Sequence, residues 1–456
     1  MIPVAKSLRT HAGWCSPLVL SLVLCVAADN AAAQASDTAS AKPAAAVPFA
    51  FADFSWVPGN AGASERPLTI GPFTGEFRLD DVYHWSLSDP ADGTISGSSE
   101  VFRHGEFQVT QLGIGGDLFY KNVMGRLMTQ FGMYSTATPR NDASPGRGQW
   151  QLDNAYRYLS EAYGGYHWDA LHGINLQAGI FMSYIGLWGY YNADNWTYQP
   201  SYVSSNTPWF FNGVRLQIYT SDKLKIEPWL VNGWQSYGRF NNDLGAGGQI
   251  LWRPTGSVSV VLNQYVGTDT YNNSHRRRLH TDDSFMLKYR DRPGALIDKA
   301  AFSVTLDAGG EAGGGVSYDS QYFVGFMAYN RFWFARDRFG LTVGGGAIRN
   351  PGRYLVLMPP INGATALSGT PYFTANPGDP FQAGDLQVSA DYAPSPFVTF
   401  RAEYNHREAS VPYFSGRGGV TPPGGNQGAP GSSVANWTPD LVKVERRITF
   451  AILVKL

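Results

Sequence analysis

Cysteine is all but missing from this chain: there are two, Cys15 and Cys25, and both lie within the first thirty residues. If that segment is an export signal, the remainder has no thiol, which excludes disulfide staples, cysteine metal sites and cysteine nucleophiles. Charge is also sparse, at 16% of residues against the roughly 25% of soluble domains. Lys plus Arg number 35 and Asp plus Glu 36, a net charge of −1. The basic surplus or stripe of a nucleic-acid-binding protein is therefore absent. The longest apolar run, Pro17–Ala28, falls short of the ~18 residues a spanning helix needs, so a transmembrane helix bundle is excluded. No G-x-S-x-G, H-E-x-x-H, Walker or G-x-G-x-x-G pattern occurs, and enzymatic readings find little support.

The N-terminus carries an address. Lys6, Arg9 and His11 precede the apolar stretch PLVLSLVLCVAA, and the small residues NAAAQA follow it at Asn30–Ala35. A basic region, a short apolar core and an A-x-A site make a secretory signal peptide over residues 1–33, with cleavage after Ala33 or Ala35. Leu24 is too bulky to precede a lipidated Cys25, which argues against a lipoprotein. An Ala-, Ser- and Pro-rich stretch, Ser36–Pro48, has no apolar periodicity. Residues 34–72 are read as a periplasmic N-terminal tail, with order beginning between Phe51 and Pro72.

What the chain has in plenty is aromatic residues (14%) and glycine (52 residues), arranged with period two. Phe73, Gly75, Phe77, Leu79, Asp81, Tyr83 and Trp85 alternate with Thr74, Glu76, Arg78, Asp80, Val82 and His84. That is one apolar and one polar face of a strand. The final segment is the cleanest, with Val442, Val444, Arg446, Ile448, Phe450, Ile452, Val454 and Leu456 on one face. Sixteen strands are expected, at 73–87, 106–120, 122–134, 154–168, 173–185, 211–219, 223–235, 245–253, 257–266, 283–290, 300–309, 320–334, 338–348, 384–393, 396–406 and 443–456. Short connections with turn residues, such as Lys121-Asn122 and Ser221-Asp222, alternate with long ones.

An even strand count with alternating short and long connections predicts an all-β transmembrane antiparallel β-barrel over 73–456, with short periplasmic turns and long extracellular loops. In lipid every backbone N–H and C=O must be paired within the protein, so a spanning sheet must close. The competing soluble sandwich or propeller is disfavoured: no repeat of fixed period occurs, and the polar faces carry few Lys and Glu. Two charges, Asp81 and Arg446, fall in the lipid-facing register and are expected near the outer rim. In the second strand the apolar face switches between Val109 and Leu112, which calls for a bulge or a different boundary.

A barrel of this size leaves an aqueous interior. Passive diffusion of small hydrophilic solutes is the expected function, and a closed or plugged barrel acting as structural protein, adhesin or receptor the alternative. Alternation puts Arg126, Arg157, Glu161, Arg215, Lys225, Glu227, Lys288, Asp307, Asp391, Arg401 and Glu403 on the inner wall. Both signs are present, so no strong ion preference is expected. Two loops are candidates for a constriction. Gly186–Gly213 is dense in aromatics that want burial, with Trp188, Tyr190, Tyr191, Trp196, Tyr198, Tyr202 and Trp209. Asn350–Pro380 is long, with an apolar centre that begins after Arg353 at Tyr354.

His275-Arg276-Arg277-Arg278 is a basic cluster that either draws anions or lipopolysaccharide to the mouth or is solvated and paired locally. His275, His280 and Asp282 are weak candidates for a metal site, and Asn405-His406 for a rim hydrolase without a serine to pair. No cofactor is implied. The expected partners are outer-membrane lipid and lipopolysaccharide, the barrel-assembly machinery, small solutes and a second copy of the chain, with no nucleic acid. The location is the outer membrane of a Gram-negative cell, with both termini periplasmic.

Several blocks resemble the β-barrel porin-2 family of OmpL-like outer-membrane proteins. They include QFGMYSTATPRNDASPGRGQW (Gln130–Trp150), YRYLSEAYGGYHWD (Tyr156–Asp169), Met182–Ile218, EPWLVNGWQSYGRFN (Glu227–Asn241), NPGRYLVLMPPINGATA (Asn350–Ala366) and VPYFSGRGGVTPPGGN (Val411–Asn426). The resemblance spans nearly the whole mature chain. It implies an outer-membrane location and a porin-like role, and carries no functional residues with it. The final residue is Leu456, where barrel proteins commonly end in an aromatic.

Overall fold

The computed structural model describes residues 47–59, 66–98, 100–351, 380–429 and 432–456. The expected signal peptide, the first part of the tail, and the centre of the second candidate loop with Arg353 and Tyr354 lie outside the described residues.

Sixteen strands run antiparallel, each paired with its sequence neighbours, and the first closes on the last. They are β1 (Phe73–Ser86), β2 (Phe107–Tyr120), β3 (Val123–Thr129), β4 (Leu159–Trp168), β5 (Ile174–Met182), β6 (Phe210–Ser221), β7 (Leu224–Val231) and β8 (Gly245–Thr255). The other half comprises β9 (Val258–Gly267), β10 (Arg277–Asp291), β11 (Lys299–Ala312), β12 (Tyr322–Phe334), β13 (Phe339–Asn350), β14 (Phe381–Ser395), β15 (Val398–Ala409) and β16 (Val444–Lys455). The seam places Ile448 opposite Trp85 and Lys455 opposite Arg78. Among the described residues the barrel sheet has no open edge, which is the condition for crossing lipid as a sheet.

Side chains sort by the strand period. Leu306, Phe326 and Phe450 are more than half exposed on the outside, while Ser284, Thr305, Thr342 and Thr449 are buried within. At the short-turn end, outward-facing Tyr120, Tyr166, Trp168, Trp252 and Tyr289 are exposed, and Phe339, Tyr392 and Phe400 stack in a row. These rings form an aromatic girdle of the kind that sits at a membrane–water interface. The two-residue turn Lys121-Asn122 has both residues at positive φ (47° and 66°), which matches the twist of the strands it joins.

Boundaries differ from expectation where the chain is used for something else. The expected strands 122–134 and 154–168 are shortened to β3 and β4, because residues 130–158 form helical turns such as Tyr134–Ala137 and Leu152–Tyr156. Pro139 and Pro145 cannot donate to a ladder there, and Gly132 breaks it at φ 97°. Arg157 is thereby moved off the wall: it follows the second turn, and its Nε donates to the Ser135 carbonyl at 3.4 Å. Strand β10 instead begins early, so Arg277, Arg278, His280 and Asp282 belong to the wall and not to a loop.

The face switch in β2 is a β-bulge. Asp80 pairs with Gln111 and Asp81 with Val109, leaving Thr110 as the extra residue. Thr110 and Gln111 both turn inward and are buried. Of the two misfit charges, Arg446 lies at the long-loop end, its carbonyl accepting from the Leu87 N–H at 2.9 Å. Asp81 does not lie at the rim. It sits in the body of β1, in register with Ile452 and Val109, on the outward face with Tyr83 and Trp85. Alternation assigns a face; height along a tilted strand depends on the stagger between neighbours, which it does not encode.

Candidate channel interior

The loop between β5 and β6, residues 183–209, folds inward and spans the bore. Its aromatic residues require this: Trp188, Tyr190, Tyr191, Trp196, Tyr198, Tyr202 and Trp209 are all buried. Wall side chains hold its backbone and side chains from several directions. On one side Tyr191 donates its hydroxyl to Glu161 (2.8 Å), and the Asn192 amide donates to Asp80 (2.8 Å). From β15, Arg401 donates to the carbonyls of Asn192 and Asn195 (3.1 and 2.8 Å). Glu403 accepts the N–H groups of Tyr198 and Gln199 (2.6 and 3.0 Å), and Asp385 accepts Ser201 Oγ and the Tyr202 N–H (2.8 and 2.9 Å). Burial keeps the Tyr191 phenol well above its ordinary pKa, with the Glu161 carboxylate adding to the effect, so it remains a donor.

Glycines make the seat for this loop. A Cβ on Gly346 of β13 would stand 2.5 Å from Ser201 Oγ, and one on Gly325 of β12 would stand 2.9 Å from a Val203 methyl. The short helical turn Tyr202–Ser205 can press against the wall only because those side chains are absent.

A second segment enters from the short-turn end. Residues 47–59, from the stretch read as tail, pack inside the barrel. The Phe49 N–H donates to Asp222 O (2.7 Å) and Trp56 Nε1 to Gly256 O (3.1 Å), both acceptors lying in short turns. Further along, Trp196 Nε1 of the inward loop donates to Trp56 O (3.1 Å) and the Gly59 N–H to Asp194 O (2.8 Å). Phe54, Trp56 and Val57 are buried with Trp188, Trp196 and Trp333 in one cluster. The segment thus underlies the loop and ties it to the turns.

Gly59 sits at φ 71°, and a Cβ there would stand 2.6 Å from Leu187 O and 2.8 Å from the Gly189 nitrogen. A Gly59→Ala variant should undock the segment at a cost of about 1–3 kcal/mol. Limited chymotrypsin digestion of detergent-solubilised protein should then cut at Phe54 or Trp56 faster than in wild type, with the barrel intact. Equal cleavage rates would refute the close packing.

Between the loop and the β1–β9 wall remains a cavity of about 520 Å³. Its charged lining comprises Arg78, Arg126, Lys225 and Arg253 against Glu100, Asp117, Glu161 and Asp194. Three of the four cations are neutralised locally. Arg126 meets Glu161 (2.8 Å), Glu76 (2.9 Å) and Asp117 (3.1 Å); Arg78 meets Asp194 (2.8 Å); Lys225 meets Glu227. Arg215 lies over the Phe181 and Tyr163 rings and 3.7 Å from Glu227.

The other wall charges read from the sequence also face inward. Lys288 pairs with Asp291 (2.6 Å) and Asp391 with both Arg401 (2.7 Å) and Arg331 (2.8 Å), while Asp307 lies 2.7 Å from the His280 ring. The basic cluster is divided: Arg276 and Arg278 bind Glu311 (2.6 and 2.9 Å), while Arg277 points out. His275 and His280 do not converge with Asp282, and among the described residues no group of three or more His, Cys, Asp or Glu could hold a metal ion. Asn405 faces inward and His406 outward on β15, so they share no site.

Sequence reasoning missed Glu76, Arg78, Arg253 and residues 47–59. The first two stood on the polar face of the first strand and needed only to be counted. Arg253 is the last residue of the expected eighth strand, 245–253. Phe49, Phe51, Phe54 and Trp56 carry the same aromatic-density signal that marked the inward loop.

A closed sixteen-stranded barrel with a lipid-facing apolar exterior and an ion-paired, cavity-containing interior defines a porin-class outer-membrane protein. The chain belongs to the family described as putative beta-barrel porin-2, OmpL-like, whose model matches residues 73–429. It is an outer-membrane protein of a Gram-negative bacterium. No curated protein matches it by sequence. Among solved structures it is similar to the outer-membrane channel DcaP of Acinetobacter baumannii, at 11% identity over 84% of this chain and 97% of that one, with a TM-score of 0.48. It is also similar to OprB of Pseudomonas putida (10%, 84% and 94%, 0.48) and to OmpT of Vibrio cholerae (9%, 85% and 99%, 0.47).

Proposed function

We propose that small hydrophilic solutes pass along the cavity between residues 183–209 and the β1–β9 wall, with that loop as the constriction. The observation that carries this reading is a cavity of about 520 Å³ lined by charges of both signs inside a closed barrel. Fixed, paired charges offer hydrogen bonds to a solute shedding part of its hydration without imposing one strong field. The chain has no enzymatic role in this reading. Residues 1–33 are removed on export, with the short turns and both termini in the periplasm and the long loops among lipopolysaccharide. The barrel-assembly machinery recognises the C-terminal strand, and copies of the chain associate within the membrane.

Proteoliposome swelling tests the reading. Vesicles containing the protein should swell in isosmotic small neutral sugars, more slowly as sugar size increases. Swelling no faster than protein-free vesicles would instead favour a plugged barrel serving as a structural protein, adhesin or receptor, a reading to which the packing of 47–59 lends its own support.

A further inference from the structure

Four cations line the cavity, and three of them have carboxylate partners: Arg78 with Asp194, Arg126 with Glu161 and Lys225 with Glu227. Arg253 has none among the described residues. It lies on the inward face of β8 and is only 6% exposed. Its one side-chain hydrogen bond runs from Nε to Ser259 Oγ on β9, at 3.4 Å. The guanidinium packs over two rings of the N-terminal segment, with its central carbon 4.3 Å from the Phe54 centroid and 5.1 Å from that of Phe49.

Rings on the faces of a guanidinium hold it rigid by cation–π attraction and leave its in-plane N–H groups unused. Those groups form a fork that matches two oxygens of a carboxylate or phosphate. A nearly buried charge without a counter-ion is costly, and every other cation on this cavity has been given one. We propose that Arg253, clamped by Phe49 and Phe54, is an oxyanion subsite on the solute path, receiving the carboxylate or phosphate group of a passing solute. The Ser259 hydroxyl accepts from Nε and keeps its own proton to donate to the same anion. The proposal rests on the channel reading for its physiological meaning, although binding itself does not require an open pore.

The test uses the full chain in detergent, with potassium phosphate and potassium acetate as probes and potassium chloride as the ionic-strength control. Wild type should bind phosphate or acetate by calorimetry, and which one it binds more tightly distinguishes a phosphate-bearing from a carboxylate-bearing solute. Arg253→Gln should weaken that binding by about tenfold or more, as expected for loss of a charge-assisted bidentate contact. In bilayers under a salt gradient, the same substitution should shift the reversal potential toward cations. Phe54→Leu keeps the cation and removes one of the two rings packed on it; it should weaken binding less, and it provides the test should Arg253→Gln fail to fold. Equal anion binding by wild type and either folded variant, or no binding by wild type while the channel conducts, overturns the subsite. Binding that depends on Arg253 in a protein silent in bilayers would retain the subsite and reject the channel.

Discussion

Deletion of residues 47–59 should raise the single-channel conductance in planar bilayers, by about twofold or more if the segment fills a comparable share of the bore. The segment contributes no strand and no lipid-facing surface, so the barrel should assemble without it. What it does contribute is bulk in the lumen and a floor for the inward loop. Phe54, Trp56 and Val57 are buried there, and the bonds from Trp196 Nε1 to Trp56 O and from the Gly59 N–H to Asp194 O fasten the loop from below. Removing them should widen the path and also make the open level noisier, because the loop loses two tethers. A reversible version of the same experiment is available. A Cβ on Gly256 would stand 2.7 Å from Ala52 Cβ. A disulfide between cysteines at those two positions would need the pair to separate to about 3.8 Å, a small adjustment in a turn. The natural cysteines, Cys15 and Cys25, both precede Ala33. If the segment moves in and out of the bore, oxidised Ala52→Cys/Gly256→Cys protein should stay at the low level and reduction should restore fluctuation. Unchanged conductance after deletion would mean that solutes take a route the segment does not touch.

Asp391→Ala should be the most destabilising single substitution in the wall. The carboxylate accepts from Arg401 Nε and Nη2 (2.7 and 3.0 Å) and from Arg331 Nη2 (2.8 Å), and the side chains of Asp391 and Arg401 are only 4% and 2% exposed. Its loss leaves two buried guanidinium groups facing each other without a counter-charge, a cost of about 3–5 kcal/mol. The effect should reach the path as well. Arg401 carries the carbonyls of Asn192 and Asn195, and Arg331 that of Trp196 at 3.2 Å, so three grips on the inward loop depend on one carboxylate. A drop in the denaturation midpoint of the folded barrel, followed on gels by its altered mobility, measures the first effect. Asp291→Ala is the control, because Asp291 is half exposed beside Lys288 and such pairs are worth about 0–1 kcal/mol. Equal losses for the two variants would show that the Asp391 network is not what anchors the wall.

The barrel itself was legible because strands facing lipid on one side and water on the other must alternate, and period two survives any detail of packing. Positions such as Arg126, Glu227 and Asp391 followed directly from it. The inward loop was legible for a different reason: its Trp and Tyr content has no use in a solvated loop. Four things were only partly legible or not at all, each for a physical reason. The bulge at Thr110 changes register by one residue, and the sequence records this only as a broken pattern. Arg157 keeps the alternation of β4 but lies beyond the strand, in a helical turn that the same residues also suit. Residues 47–59 have too few positions to show a period, and only their place under Trp196 gives their aromatics a purpose. The pairing of charges across strands, which isolates Arg253, depends on three-dimensional neighbours and has no signature along the chain.

The most direct test is a paired bilayer recording of the purified full chain and of the same chain lacking residues 47–59. A conduit through the barrel predicts discrete, ohmic openings in both, with the larger steps in the shortened protein. If neither protein conducts while both remain folded barrels in the membrane, the interior is not a path for solutes and the channel account fails.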